Sequence, residues 1–171
     1  MKKILVLMLA LSLVLMGLCA CEKNNYRTDV TATQVMDAVL AAVPAEGGYR
    51  QVSQGYISSS TWGADYQTLL DKVTDYHIVV AEDSDMNINE IGVFRVTNQS
   101  DVTALTAIVQ TFVTGQVQRY TSLLEAYNPD EMPKLSEAEV KVCDTYIFYS
   151  ILSDANTKLA QDALVASVSL S

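Results

Sequence analysis

The chain has 171 residues and a formal net charge of −9, with 20 Asp and Glu against 11 Lys and Arg. So acidic a chain is repelled by nucleic acids and anionic headgroups, and we expect no nucleic-acid partner. Half of the residues (50%) are apolar, which suits one globular domain with a substantial core.

The N-terminus has the pattern of an export signal. Two lysines precede an apolar run, residues 4–17, that is shorter than the roughly 20 residues needed to cross a bilayer. The run ends in Leu18-Cys19-Ala20-Cys21, which resembles the lipobox of bacterial lipoproteins. A lipobox has a large aliphatic residue three places before the modified cysteine and a small residue directly before it. This spacing selects Cys21 and not Cys19.

In lipoproteins the selected cysteine is acylated and becomes the mature N-terminus. The resemblance therefore implies a signal peptide over residues 1–20 and a lipidated Cys21. The polar composition of the following residues predicts a lipidated tether over 21–29, and residues 30–171 are predicted to form a single α+β domain. Without the signal the net charge is −11, so membrane attachment on the outer face of the cytoplasmic membrane depends on the acyl chains of Cys21. The alternatives are an uncleaved N-terminal anchor and a plain secretory signal.

Two helices and a long loop are predicted first. Thr31 and Gln34 have the spacing of a capping box, and apolar residues then recur at helical spacing up to Val43. Residues 48–63 form a loop, with a possible short strand over 49–53. Trp62 either covers the edge of the core or contacts a ligand. Residues 64–73 indicate a short helix.

Two β-rich runs, residues 76–81 and 90–97, predict an antiparallel hairpin. The connection begins like a calcium loop, since oxygen-bearing side chains alternate through Asp83, Asp85, Asn87 and Asn89. The pattern then fails, because Ile88 stands where such a loop needs Gly, and a Glu is missing at the twelfth position. We expect a solvated turn without a metal.

The second half predicts a long helix, a second hairpin and a last helix. The long helix covers residues 101–127, begins at Ser100 or Asp101, and has Gly115 as a bend or weak point. The hairpin joins residues 140–142 to a central strand, 146–152, by a tight turn at Cys143-Asp144.

The last helix follows Ser153-Asp154 and frays after Ala166. Its inward residues are predicted to be Leu159, Ala160, Ala163 and Leu164. The whole pattern predicts an α+β fold with helices packed on a small antiparallel sheet of about four strands, in the order α-α-β-β-α-β-β-α.

Few residues suggest chemistry. After export and acylation Cys143 is the remaining cysteine, which excludes an intramolecular disulfide, and we expect it to be a buried thiol. His77, the one histidine, lies in an apolar strand and is expected to be structural. No phosphate loop or G-x-S-x-G motif is present. We therefore assign no catalytic, cofactor-binding or metal-binding residue.

Two functions remain. The first is a non-enzymatic binding or interaction module, for which a protein in the cell envelope is the expected partner. The alternative is an envelope hydrolase that uses carboxylates such as Glu90 or Asp85.

Four short motifs carry a resemblance over roughly residues 30–165. They are Met86-Asn87, Glu90-Ile91-Gly92-Val93-Phe94, Tyr127-Asn128-Pro129 and Tyr146-Ile147-Phe148-Tyr149. At these motifs the chain resembles a family of Gram-positive lipoproteins that share the domain of unknown function 4358. The resemblance implies a secreted, lipid-anchored single domain without an assigned reaction or catalytic residue. The family often has Gly at the hairpin turn where this chain has Cys143-Asp144.

Overall fold

The computed structural model describes residues 26–44, 47–82 and 87–170. In this part of the chain, one antiparallel sheet of five strands packs against six α-helices. The strands are β1 (Tyr49–Gln51), β2 (Val73–Ala81), β3 (Glu90–Val96), β4 (Glu139–Cys143) and β5 (Tyr146–Ile151). The helices are α1 (Ala32–Ala42), α2 (Ser59–Trp62), α3 (Tyr66–Lys72), α4 (Val102–Tyr127), α5 (Met132–Ser136) and α6 (Asp154–Val168). The order in the sheet is β1-β2-β3-β5-β4.

Helices cover both faces of the sheet. Side chains of a strand alternate between faces, so Ile91 and Val93 of β3 point to the face covered by α1 and α6. Phe94 points to the opposite face, which is covered by α2, α3 and α4. All six residues of β5 are buried, as predicted for a central strand. These two surfaces are called the α1/α6 face and the α4 face below.

The prediction of an α+β fold with helices on an antiparallel sheet is confirmed, but the count of about four strands and the element order are wrong. The fifth strand is β1, an edge strand in which Arg50 pairs with Val80, and it confirms the alternative of a short strand over residues 49–53. Its three residues are too few to show an alternating pattern. Likewise, α2 and α5 are too short to show a helical period. Val73, predicted to end a helix, begins β2.

The predicted starts of two helices can be compared with their caps. The capping box of Thr31 and Gln34 is present at α1. Asp101 occupies the N-cap of α4, but its side chain makes no capping bond and pairs instead with Lys72 at 2.6 Å. The helix α4 continues through Gly115 for 26 residues, because a helical glycine weakens the helix without ending it.

The prediction for α6 needs two corrections. Ala160 and Leu164 are buried as expected. Leu159 is 41% exposed, and Thr157 is the buried residue on that turn of the helix instead. The helix also continues to Val168, which is fully buried. A β-bridge between Tyr26 and Ser169 supports this end, so the predicted fraying is wrong.

The segment before α1 lies against the domain. The Arg27 amide donates to the Val168 carbonyl at 2.7 Å, and the Arg95 guanidinium donates to the Thr28 carbonyl at 3.0 Å. The Tyr146 hydroxyl donates to the Val30 carbonyl at 2.7 Å. The predicted signal peptide and Cys21 lie outside the described residues. Among the helices that the structure describes, none is long and apolar enough to span a bilayer.

Both predicted hairpins are present, with differences in their connections. The turn of the second hairpin lies at Asp144-Thr145, one residue later than predicted, because Cys143 still pairs with Tyr146 as the last residue of β4. Asp144 lies in the left-handed region (φ 54°), which Asp tolerates better than most residues, and Cys143 is buried as predicted. Ile88 and Asn89, predicted to be solvated, are buried. Ile88 packs under α4 and α5, and its amide donates to a Glu131 carboxylate at 3.1 Å. Asp83 and Asp85 lie outside the described residues.

Candidate functional site

A cavity of about 510 Å³ opens on the α4 face, at the end of the sheet where β2 finishes and β3 begins. Arg50 of β1, Glu90 of β3 and Tyr120 of α4 contribute to its walls. Tyr56, from the 3₁₀ turn Gln54–Tyr56 that follows β1, closes another side. The cavity therefore lies between the edge of the sheet and the second half of the long helix.

Glu90 is the centre of a buried hydrogen-bond network. Its Oε1 accepts from the hydroxyl of Tyr149 at 2.6 Å and from that of Tyr56 at 2.8 Å. The Gln116 amide donates to Glu90 Oε2 at 3.4 Å and to the Tyr56 hydroxyl at 3.3 Å. Phenol and amide donors are neutral, so they solvate the carboxylate without forming an ion pair.

Burial sets the electrostatics of this network. Glu90 is 3% exposed, and loss of water raises the pKa of its carboxyl. The donors from Tyr149, Tyr56 and Gln116 oppose that rise because they favour the charged form. In turn, burial and the nearby negative charge raise the pKa of Tyr56 and of Tyr149. The site can therefore hold a carboxyl proton at a higher pH than an exposed Glu can.

Gly92 explains why Tyr149 reaches Glu90. The two residues Gly92 and Tyr149 pair directly across β3 and β5. A Cβ built on Gly92 would lie 2.0 Å from Tyr149 Cε1, so the tyrosine ring occupies the space that a larger residue would fill. The ring passes over Gly92, and its hydroxyl reaches Glu90, two residues away on the same face of β3.

A compact chain segment holds Tyr56 at the cavity. The Thr61 hydroxyl donates to the Tyr56 carbonyl, and the next residue, Trp62, begins an aromatic cluster. Trp62 stacks on Phe112 of α4 with ring centroids 3.7 Å apart and is 4% exposed. Phe112 in turn meets the Tyr56 ring edge-on at 6.4 Å. The alternative in which Trp62 covers the core is therefore confirmed.

The other candidate residues are not brought together. His77 Nδ1 lies 3.2 Å from the Thr33 hydroxyl on the α1/α6 face, and burial lowers the pKa of His77. Cys143 lies on β4, three strands away from His77 on β2. Over residues 26–44, 47–82 and 87–170, no group of three or more His, Cys, Asp and Glu side chains could hold a metal ion.

Sequence reasoning named Glu90 but missed Tyr56, Gln116 and Tyr149. These partners are 34, 26 and 59 residues away along the chain, respectively, so no local spacing connects them. One signal was available. A glycine in the middle of a β-rich run indicates a close approach by a large side chain from a neighbouring strand, and Gly92 marks the strand that carries Glu90.

Comparisons of the chain with curated proteins and with solved structures find no match. The profile of the domain of unknown function (DUF4358) matches residues 62–152, which is more than half of the 171-residue chain. The match includes Glu90, Gln116 and Tyr149, whereas Arg50 and Tyr56 precede it. The chain belongs to the DUF4358 family.

Proposed function

We propose that the protein is a Gram-positive lipoprotein, anchored by acylated Cys21 on the outer face of the cytoplasmic membrane, whose domain binds a ligand without transforming it. The cavity beside Tyr56 and Glu90 is the observation that carries the binding function. Its volume of about 510 Å³ falls in the usual range for small-molecule sites, roughly 300–1,000 Å³. The lipobox at residues 18–21 supports the anchor.

The position of the cavity suits a ligand that arrives from outside the cell. Glu90 pairs with Ile151 at one end of the sheet, and Arg95 pairs with Tyr146 at the other. Five residues of strand separate these ends by roughly 17 Å. The segment that leads to Cys21 attaches at the end with Arg95, since Arg95 donates to Thr28. The cavity thus lies at the end of the sheet opposite to the point where Thr28, in the segment from the proposed anchor, contacts the domain.

The anchor is tested by growing cells that express the full-length protein with an alkyne-bearing fatty acid. We expect the wild type to carry the label and Cys21→Ala to lose it. Cys19→Ala is the matched control, because it removes a thiol two residues away and should keep the label. Label that persists in Cys21→Ala, or wild-type protein that remains in the cytosol, contradicts the anchor.

Ligand binding is tested by thermal unfolding of the full-length protein in detergent against a library of water-soluble metabolites. A ligand at 100 times its Kd should stabilise the protein by about 2.7 kcal/mol. Ser53→Trp places a large ring at an exposed residue of the cavity wall and should abolish the shift. Ser122→Trp, exposed on α4 and outside the wall, is the control that should keep it.

A library without any stabilising compound contradicts the binding function. A compound that stabilises Ser53→Trp as well as the wild type contradicts the assignment of the cavity.

The raised pKa of Glu90 favours a second candidate, the carboxylate-based envelope hydrolase. A buried carboxyl that keeps its proton can act as a general acid. Two-carboxylate hydrolysis needs a second group, and Glu82 is the other carboxylate in the described cavity wall. Cleavage of cell-wall glycan or peptide fragments by the wild type and not by Glu90→Gln would favour this candidate.

A further inference from the structure

Two opposite charges lie in one row across the sheet. Arg50 of β1 pairs with Val80 of β2, and Val80 pairs with Glu90 of β3. Directly paired residues of an antiparallel sheet point to the same face, so Arg50 and Glu90 share the α4 face. Their backbones are two strand spacings apart, roughly 10 Å, and both side chains line the cavity.

Neither charge has an oppositely charged group in direct contact within the described part of the protein, although Arg119 favours the charged form of Glu90 from a greater distance. The ion pairs of this part do not include Arg50 or Glu90. Glu90 Oε1 accepts two short hydrogen bonds, whereas Oε2 accepts only the 3.4 Å contact from Gln116. A carboxylate oxygen has two lone pairs, so Oε2 retains capacity for a donor from the cavity.

The pair of charges limits what the cavity can hold. A purely anionic ligand would meet the carboxylates of Glu90 and Glu82, and a purely cationic one would leave Arg50 without a partner. An uncharged ligand would displace water from both groups without replacing the ionic contacts, which is costly. A ligand with an ammonium group at one end and a carboxylate at the other satisfies both groups, since a guanidinium binds a carboxylate through two parallel hydrogen bonds.

On this basis, and resting on the proposed binding function, we propose that the cavity takes a small zwitterion, an amino acid or short peptide, with its ammonium group at Glu90 and its carboxylate at Arg50. Tyr56 and Tyr120 provide the apolar walls between the two ends.

The proposal is tested by calorimetric titration of the full-length protein in detergent. The probes are the twenty protein amino acids, 4-aminobutyrate and L-alanyl-L-alanine, which differ in the distance between their charged ends. For the tightest probe, the N-acetyl analogue removes the ammonium charge and the carboxamide removes the carboxylate. We expect each analogue to bind about ten- to hundred-fold more weakly, because each loses one charge-assisted contact.

Two variants connect each end of the ligand to one residue. In Glu90→Gln, the N-acetyl analogue should bind as tightly as the unmodified probe does. In Arg50→Gln, the carboxamide should bind as tightly as the unmodified probe does. Each variant should still bind more weakly to the analogue that is altered at the other end of the ligand. Simple misfolding would not produce this difference between the two analogues. Lys158→Gln, which removes an exposed charge from α6 on the opposite face, should bind like the wild type.

The outcomes separate this proposal from the binding function. Binding of a zwitterion that weakens with both analogues supports it. If an uncharged or singly charged compound binds in a manner that Ser53→Trp blocks, while no zwitterion binds, the cavity is a ligand site and the proposed class is wrong. If no compound binds at all, both proposals fail.

Discussion

The two faces of the sheet are packed in different ways. The α1/α6 face is filled mainly by aliphatic and aromatic side chains, and the phenol of the fully buried Tyr146 donates to a backbone carbonyl. The α4 face combines a cluster of stacked rings with a buried carboxylate, Glu90, and an open cavity beside it. A buried charge is costly unless donors surround it, and Glu90 places this cost on the α4 face, beside the proposed ligand cavity.

The largest effect is expected on the α1/α6 face. Phe148 is fully buried there, and Phe148→Ala should lower the free energy of unfolding by about 3–5 kcal/mol, since it removes a large ring and leaves a cavity. Urea unfolding measures the loss. Leu159→Ala, on the exposed side of α6, is the control and should change stability by less than about 0.5 kcal/mol. Equal losses in the two variants would contradict the assignment of the packed face.

The next effect tests how the α4 face is built. Gly92→Ala puts a methyl group into the Tyr149 ring, which must move, so we expect a loss of about 1–3 kcal/mol in unfolding free energy. The moving ring also withdraws its hydroxyl from Glu90. Gly92→Ala should therefore weaken binding of any cavity ligand, whereas Phe148→Ala, measured where it remains folded, should not. Unchanged stability in Gly92→Ala would contradict the close approach of the ring.

A smaller effect concerns the buried carboxyl. Burial raises the pKa of the Glu90 carboxyl above its ordinary value of 4.5. Between these two pKa values, the native state therefore keeps a proton that the unfolded state has released. The contribution of Glu90 is complete below the ordinary pKa and is lost as pH rises through the folded-state pKa, with a slope of at most about 1.4 kcal/mol per pH unit.

Unfolding free energies measured across this range should therefore fall more steeply in the wild type than in Glu90→Gln. The control is Glu125→Gln, which removes an exposed carboxylate from α4 and should keep the wild-type slope. Parallel curves for the wild type and Glu90→Gln would show that the native carboxyl titrates normally.

The smallest effect should be a gain. Gly115 lies in the interior of α4, and a Cβ built there meets nothing within 4 Å. Gly115→Ala should raise the free energy of unfolding by about 0.5–1 kcal/mol, because alanine loses less backbone entropy on forming a helix. Thermal unfolding measures the gain, and a loss would indicate that the neighbouring Gln116 requires a distortion of the helix at this point.

The sequence was most informative where the signal is local. A capping box, a helical stripe and alternating apolar residues each depend on neighbours within one turn or one strand, and the main helices and both hairpins were predicted from them. Contacts over long distances in the chain could not be read from the sequence, and the short strand over 49–53 was therefore predicted only as an alternative. β1 forms because it pairs with β2, and the last turn of α6 persists because Tyr26 pairs beyond it.

The candidate site was predictable only in part, for the same reason. Glu90 could be named as an acidic residue in an apolar strand, but its burial depends on Tyr56, Gln116 and Tyr149 from three distant segments. Asn89 was assigned to solvent because polar residues surround it in sequence. It is buried because Ile88 beside it is anchored beneath α4 and α5.

The bridge between Tyr26 and Ser169 has a practical consequence for work in cells. Tyr26 and Ser169 lie side by side, so a reporter protein fused after residue 171 would be attached close to the start of the described domain, where the segment from the proposed lipid anchor joins it. Such a fusion would compete with the bilayer for room and could lift or tilt the domain. Localisation and pull-down studies are therefore better served by a small epitope than by a bulky C-terminal fusion.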